Sequence, residues 1–370
     1  MKKDRTYKKL GEVCDINYGT RVVQKKDGGS IYPVYGGGGA TFRMDTYNRE
    51  DCLVVARFAM SPKCTRIVKG KFFLNDSGLT LVAHEELYQD YLNWHIISLN
   101  DEIYQTAKGA AQKNLDVKAF TSLKIAIPPL SIQRSIVAEL DLLRSVILKK
   151  KEQLRELDNL AQSLFYQMFG DPIANPMGWE KTYLKDKVQE MFLGPFGSAL
   201  KVSCYVPQDE SYCMVYEQKH AIKGSLNVET HYIDQQKFNE LERFNVRGGD
   251  FIMSCRGTIG KIYQLPQDAP LGIIHPSLMK IRLKKDSFTP CFFLSLLSKI
   301  VANESTNGNC VQMAITAKDL GNKLIIYPPL SLQQSFSAKV SAIEAQKQAI
   351  TQSIKETEAL LAQRMDTYFS

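Results

Sequence analysis

Two stretches decide how this chain is read: Ile127-Pro128-Pro129-Leu130-Ser131-Ile132-Gln133 and Tyr327-Pro328-Pro329-Leu330-Ser331-Leu332-Gln333. They are one motif at an offset of 200 residues, without a gap. The same offset pairs Gln112 with Gln312, Lys118 with Lys318, Glu156 with Glu356, Leu160 with Leu360 and Phe169 with Phe369. Upstream, Asp76-Ser77-Gly78-Leu79 faces Pro276-Ser277-Leu278-Met279. Leu53-Val54-Val55-Ala56-Arg57 faces Ile252-Met253-Ser254-Cys255-Arg256 one residue out of step. The chain therefore reads as two diverged copies of one unit, each a globular block, then Pro-Pro, then a helix.

The helical reading rests on spacing. After Pro129, with Ser131 as the expected N-cap, Ile136, Leu140, Leu143, Ile147, Lys150, Leu154, Leu157, Ala161, Leu164 and Met168 recur in 4-3-4-3 steps. Phe336, Val340, Ile343, Lys347, Ile350, Ile354, Thr357, Leu361, Arg364 and Tyr368 form the matching stripe. A narrow heptad seam of this length predicts a coiled coil rather than helices lying on their own blocks. Gly170-Asp171-Pro172 ends the first helix. Each spans about 38 residues, or roughly 57 Å. Lys150 and Lys347 put one polar residue in each seam, a device that fixes register.

The expected boundaries are a globular block over 1–130, a helix over 131–170, a second block over 171–330 and a second helix over 331–370. Strands are predicted at 52–57, 65–74 and 77–84, with Leu87, Tyr91, Leu92 and His95 on a helical face behind them. The second copy predicts strands at 250–256, 260–264 and 278–283 and a helix over 291–301. The class is α+β: two mixed α/β domains and two long helices that pair antiparallel, with internal pseudo-two-fold symmetry.

Composition is ordinary for a globular protein, at 44% apolar and 23% charged residues. The formal net charge of +8 sits mainly in the globular blocks, a balance compatible with a polyanionic partner. No window is apolar enough to span a membrane. The eight cysteines form no C-x-x-C pair, which predicts reduced, mostly buried thiols and a cytoplasmic setting, with no metal site.

Catalytic motifs are missing. There is no G-x-x-x-x-G-K-[ST], no G-x-S-x-G and no H-E-x-x-H. Gly36-Gly37-Gly38-Gly39 lacks the Lys-Ser/Thr and the helix of a phosphate loop. His275-Pro276-Ser277 faces Asn75-Asp76-Ser77 in the other copy, so no nucleophile or base is shared.

These features carry a family resemblance. A globular block ending in Pro-Pro-Leu-x-x-Gln and a long helix, twice in one chain, resembles the specificity (S) subunits of type I restriction-modification systems. Gly249–Lys261, reading GDFIMSCRGTIGK, and Tyr32–Gly39, reading YPVYGGGG, are similar to recurrent stretches of that family's target-recognition domains. Arg57-Phe58-Ala59-Met60 departs from the usual Arg-x-Gly-x-x-Gly turn. The resemblance implies a non-catalytic subunit whose two target-recognition domains each read half of a bipartite, asymmetric site in double-stranded DNA. It implies two methyltransferase (M) subunits and restriction/translocase (R) subunits as partners, and no membrane. S-adenosylmethionine, ATP and Mg2+ would belong to those partners, and none to this chain. A coiled-coil protein adaptor and a self-contained DNA-modifying enzyme are the alternatives.

Lys and Arg grip phosphates, while Arg, Asn and Gln read base edges. Expected phosphate contacts are Lys25, Lys26, Arg43, Lys63, Arg66 and Lys108 in the first block, and Lys201, Lys219, Lys223, Lys261 and Lys318 in the second. Expected base readers are Arg57, Gln112, Lys113, His220, Arg256 and Gln312, with Tyr35, Gly36 and Thr258 beside them in the resembling motifs.

Overall fold

The computed structural model of the chain describes residues 6–306 and 315–370. These form two compact units, Met1–Gln153 with Ile350–Ser370, and Leu154–Ala349.

The first unit is built on a six-stranded sheet in the order Cys14–Tyr18, Gly78–Ala83, Arg49–Ala56, Thr65–Leu74, Tyr32–Tyr35, Ala40–Met44. All neighbours are antiparallel except Tyr32–Tyr35, which lies parallel to the end of Thr65–Leu74. The run Leu53-Val54-Val55 is apolar throughout because both of its faces are covered. Leu53 and Val55 join the main core with Tyr91, Leu92 and Phe120, whereas Val54 packs with Val68, Phe72 and Leu74. A bulge between Glu50 and Cys52 bends the strand pair. There Asp51 takes φ +44°, Gly70 takes φ +77°, and the Gly70 N–H donates to Asp51 Oδ1 at 3.0 Å. A ribbon of Thr6–Lys9 and Lys124–Ile127 closes the block just before Pro128.

The second unit repeats the first four strands in the same spatial order: Val188–Leu193, Leu278–Leu283, Phe251–Ser254, Ile262–Gln264. Its closing ribbon pairs Lys181–Tyr183 with Leu324–Ile326. It differs in a separate second sheet, ordered His231–Ile233, Cys213–Tyr216, Gly272–Ile274, Asn245–Val246.

Strand register corrects the alignment of the two copies. Val55 and Ala56 oppose Leu79 and Gly78; Met253 and Ser254 oppose Met279 and Leu278. Ser77 O accepts the Arg57 N–H at 2.8 Å, and Ser277 O accepts the Cys255 N–H at 2.9 Å. Arg57 thus corresponds to Cys255, and Arg256 to Phe58. Both strands are apolar at nearly every position, so the pattern could not reveal a slip that moves each side chain to the other face.

The long helices run from Leu130 to Phe169 and from Leu330 to Phe369, 40 residues each. Ser131 is not the cap. The helix begins one residue earlier, and Pro129 O accepts the N–H groups of Ile132 at 2.9 Å and Gln133 at 3.1 Å. Gln133 explains the repeated heptapeptide. Fully buried, its Oε1 accepts the Tyr88 N–H at 2.7 Å, and its Nε2 donates to Pro128 O at 2.8 Å and Glu86 O at 3.0 Å. Gln333 accepts the Thr289 N–H at 3.0 Å and donates to Pro328 O at 2.8 Å. Each glutamine ties the helix entry to the preceding loop, where an unpaired backbone group would be costly.

Within each unit the two helices run antiparallel. In the first, Glu139 meets Arg364 (2.9 Å) and Tyr368 Oη (2.5 Å), while Lys150 donates to Ser353 and Thr357 Oγ atoms. In the second, Lys347 pairs with Asp158 at 2.8 Å, and Phe336 packs edge-on to Phe165 and Phe169. Ile136, Leu140, Ile147, Leu164, Phe336, Ile343 and Ile354 are buried; Leu143, Leu154, Leu157, Val340, Ile350 and Leu361 are half-buried. The helix ends also enter the domain cores through Val137, Phe165, Phe169 and Phe369, which the heptad count leaves out. Among the described residues, no helix is long and apolar enough to cross a membrane.

Candidate nucleic-acid interface

In the first unit four loops converge. A Cβ on Gly37 would meet Phe58 O at 2.7 Å and Ser77 O at 3.2 Å, so the glycine run is packed against the turns after Ala56 and Leu74. Tyr35 O accepts the Asn75 N–H at 2.9 Å. Met60 N–H donates to Lys113 O at 2.9 Å, and Ala59 N–H (φ +48°) donates to Asn114 Oδ1 at 3.2 Å, which docks the Lys108–Asn114 hairpin alongside. The result collects Arg57, Lys63, Lys108, Gln112 and Lys113. Lys63 and Gln112 are exposed. Lys108 pairs with Asp116 at 2.6 Å, and that hydrogen bond holds the Asp116 carboxyl below its usual range. Lys113 lies 4.2 Å from the Tyr104 ring centroid. Lys25 and Lys26 are exposed on the short helix Gln24–Asp27. Arg43 donates to Ile31 O at 2.6 Å.

Three of the expected contacts also serve the scaffold. Tyr35 packs edge-on against Phe72 at 5.4 Å, and Gly36 is buried with Asn75 Oδ1 3.0 Å from where its Cβ would be. Arg66 turns inward to donate to Gly37 O and to Lys63 O at 3.2 Å. The glycines are required by this close backbone packing, a demand that a sequence motif does not separate from ligand binding.

In the second unit the corresponding loop is Cys255–Lys261. Ser254 Oγ donates to Thr258 O at 2.5 Å and accepts the Lys261 N–H at 2.9 Å. Gly257 (φ +64°) and Gly260 (φ +80°) let the chain turn twice over it. Gln218 Nε2 donates to Arg256 O and to Thr258 O at 3.3 Å. Arg256, Thr258 and Lys261 are thereby presented to solvent on a braced loop. Lys219 lies beside it, 2.9 Å from Glu217. Despite burial, Lys219 and His231 hold the Glu217 carboxyl below its usual range. Lys201 and Lys223 are exposed. Lys318 is exposed on the short helix Ala317–Gly321, which packs beside Leu184–Lys187. Gln312 lies outside the described residues.

His220 is corrected to a structural role. It is fully buried; its Nδ1 accepts the Glu217 N–H at 2.9 Å and its Nε2 lies 3.3 Å from Thr230 Oγ1. His275 takes the place of Asn75. Asn75 Oδ1 accepts the Ser77 N–H at 2.9 Å, and His275 Nδ1 accepts the Ser277 N–H at 3.2 Å. Burial holds both imidazoles below the ordinary histidine range. Near pH 6 the unfolded chain therefore binds more protons than the folded one. The second unit should lose stability as pH falls below about 6.5, where unfolded histidine protonates, and the contribution is complete above it. Melting followed at Trp179 between pH 8 and 5 reads this slope, and His275→Asn, copying the first repeat, should flatten it. An unchanged slope in that variant removes His275 from the account.

Residues that sequence reasoning missed are Tyr18 and Phe58, which flank Arg57, and Gln218. Only Phe58, adjacent to Arg57, left any signal. Burial pushes the Cys14 and Cys255 thiols up to about 12 and those of Cys64 and Cys213 to about 11, so these four are not nucleophilic thiolates at neutral pH. Among the described residues, no group of three His, Cys, Asp or Glu is placed to hold a metal ion.

Comparison with known proteins places the sequence in a family. The sequence fits the family model described as type I restriction modification DNA specificity domain, over residues 2–159 and 215–358. A Methanocaldococcus jannaschii protein named "Putative type I restriction enzyme MjaX specificity subunit" is 22% identical over 284 residues, 75% of this chain and 66% of that protein. The chain thus spans just under two thirds of the length of that relative. The crystal structure of a type I restriction-modification S subunit from M. genitalium superposes with a TM-score of 0.58 at 14% identity, over 99% of this chain and 96% of that one. A chain from a study of complex assembly and conformational transition of the type I R-M system gives 0.64 at 19% identity, over 99% and 98%. At these identities the likeness is one of fold.

Proposed function

Since the chain belongs to the type I restriction-modification DNA specificity family, we propose that it is the DNA-recognition subunit of such a complex. Each globular block reads one half of a bipartite, asymmetric duplex target. The chain carries no reaction of its own; it directs two methyltransferase subunits and the restriction/translocase subunits to the site. S-adenosylmethionine, ATP and Mg2+ serve those partners, and the complex works in the cytoplasm.

The observation that carries this reading is the pair of exposed, braced cationic loops on the same four-strand scaffold, with different side chains in the two copies. Phosphate contacts would set register, and the differing side chains would read different bases. A protein adaptor has no need of two such loops.

Exchange of the second block tests the reading. Replacing residues 180–325 by the matching stretch of a family member should change one half of the sequence selected from a random duplex pool and leave the other half intact. Change in both halves defeats the two-reader arrangement. Methyl transfer from labelled S-adenosylmethionine by the pure chain would defeat the non-catalytic assignment.

A further inference from the structure

Arg57 leaves its strand with the backbone held on both sides. Its N–H donates to Ser77 O at 2.8 Å, and its carbonyl accepts the Leu115 N–H at 2.8 Å. The guanidinium lies 4.7 Å from the Tyr18 ring centroid and 4.6 Å from that of Phe58. Among the described residues it has neither a hydrogen-bond acceptor nor a carboxylate partner. Its neighbours differ. Arg49 donates to Thr80 Oγ1, Asn48 O and Tyr18 O. Arg66 donates to Gly37 O and Lys63 O, and Arg43 to Ile31 O. In this sheet Arg57 alone combines a fixed position with an unsatisfied fork of donors.

Ring contacts engage the faces of a guanidinium and leave its in-plane N–H donors free. Two parallel donors in fixed orientation match N7 and O6 of guanine, since adenine offers one acceptor and one donor along the same edge. Holding the fork before DNA arrives lowers the ordering cost of the contact. We infer that Arg57 reads one guanine in the half-site of the first block, with Tyr18 and Phe58 as its positioning residues. This rests on the DNA-recognition reading above and deepens it. The second copy has no counterpart: the register puts buried Cys255 at that place. Arg256, one residue on, has no aromatic ring beneath it among the described residues. The two halves are therefore read by different means.

Binding-site selection from a random duplex pool, with the full chain, tests the assignment. The wild-type motif should contain a guanine in one half whose preference falls by about tenfold to a hundredfold in Arg57→Ala, with every other position kept. Arg57→Lys should restore it only in part, because an ammonium can reach N7 and O6 but lacks the planar fork that the two rings hold. Tyr18→Leu with Phe58→Leu should weaken the same position less. Trp94 emission checks that each variant is folded. Three results overturn the assignment while leaving the recognition reading intact: an unchanged motif in Arg57→Ala with affinity lowered evenly, as a phosphate contact would give; full rescue by lysine; or a change in the other half. A wild-type chain that selects no sequence overturns both.

Discussion

Deleting residues 361–370 should unfold the first unit. That segment starts 231 residues after Leu130, which ends the block it completes, yet Phe369 stacks on His95 with ring centroids 4.7 Å apart and lies tilted to Tyr91 at 5.5 Å, all three buried. Leu361, Met365 and Tyr368 pack on the same core. Glu139 would lose both Arg364 and Tyr368. Full burial of a large apolar side chain is worth about 1.5–3 kcal/mol, so buried Phe369 with half-buried Leu361, Met365 and Tyr368 accounts for roughly 4–8 kcal/mol. That is comparable with the whole stability of a domain, about 5–15 kcal/mol. The two tryptophans separate the outcome. Trp94, which donates to Asp141 Oδ1 at 3.0 Å, reports the first unit, and Trp179 the second. In a Trp179→Phe background the Trp94 transition should vanish at 25 °C. A Trp94 melting curve like that of the full chain would show that the helix end is dispensable.

Asp250→Ala should cost the second unit about 3–5 kcal/mol, the usual result of stripping one partner from a buried ion pair. Asp250 accepts two bonds from Arg282, at 2.7 and 2.6 Å; Glu190 accepts from Arg282 at 2.9 Å and pairs with Lys280 at 2.5 Å. Lys280 also donates to Asn245 O at 2.7 Å, and its side chain is 1% exposed. Burial pushes the Lys280 ammonium below its ordinary range, whereas the Asp250 hydrogen bond raises Arg282. Removing Asp250 leaves the Arg282 cation short of its nearest anion. The first repeat solves the same positions without charge: Thr80 and Val82 stand for Lys280 and Arg282, and Cys52 for Asp250 by the same register. Asp250→Cys combined with Lys280→Thr, Arg282→Val and Glu190→Gln, which leaves no member of the cluster charged, should therefore cost less than Asp250→Ala alone, since an ion cluster replaced as a whole is often neutral. Chemical denaturation of the three proteins decides it. A fourfold variant less stable than the single one would mean that the charges stabilise the sheet in their own right.

The repeat, the two helices and the family were legible in the residues because each is a matter of order along the chain. A seven-residue period in the pattern from Ile136 to Met168 constrains a helix whatever surrounds it, and Pro-Pro marks where it starts. The antiparallel sense of pairing also followed, since matched helices separated by a globular block can meet that way. Register could not be read in the same manner. Leu53–Ala56 and Phe251–Met253 are apolar on both faces, so the pattern is blind to a one-residue slip, and only the hydrogen-bond partners at Ser77 and Ser277 showed that Arg57 and Arg256 are not equivalent. Charge alone likewise could not say which cations are free. Arg66 and Arg57 look alike in sequence and are both half-buried, yet one donates to backbone carbonyls and the other lies against two rings. His220 reads as a polar group on a short helix, and burial made it part of the core. Local order along the chain determined the elements and their repetition. Tertiary packing decided which side chains remain available, because availability depends on what residues distant in sequence place beside them.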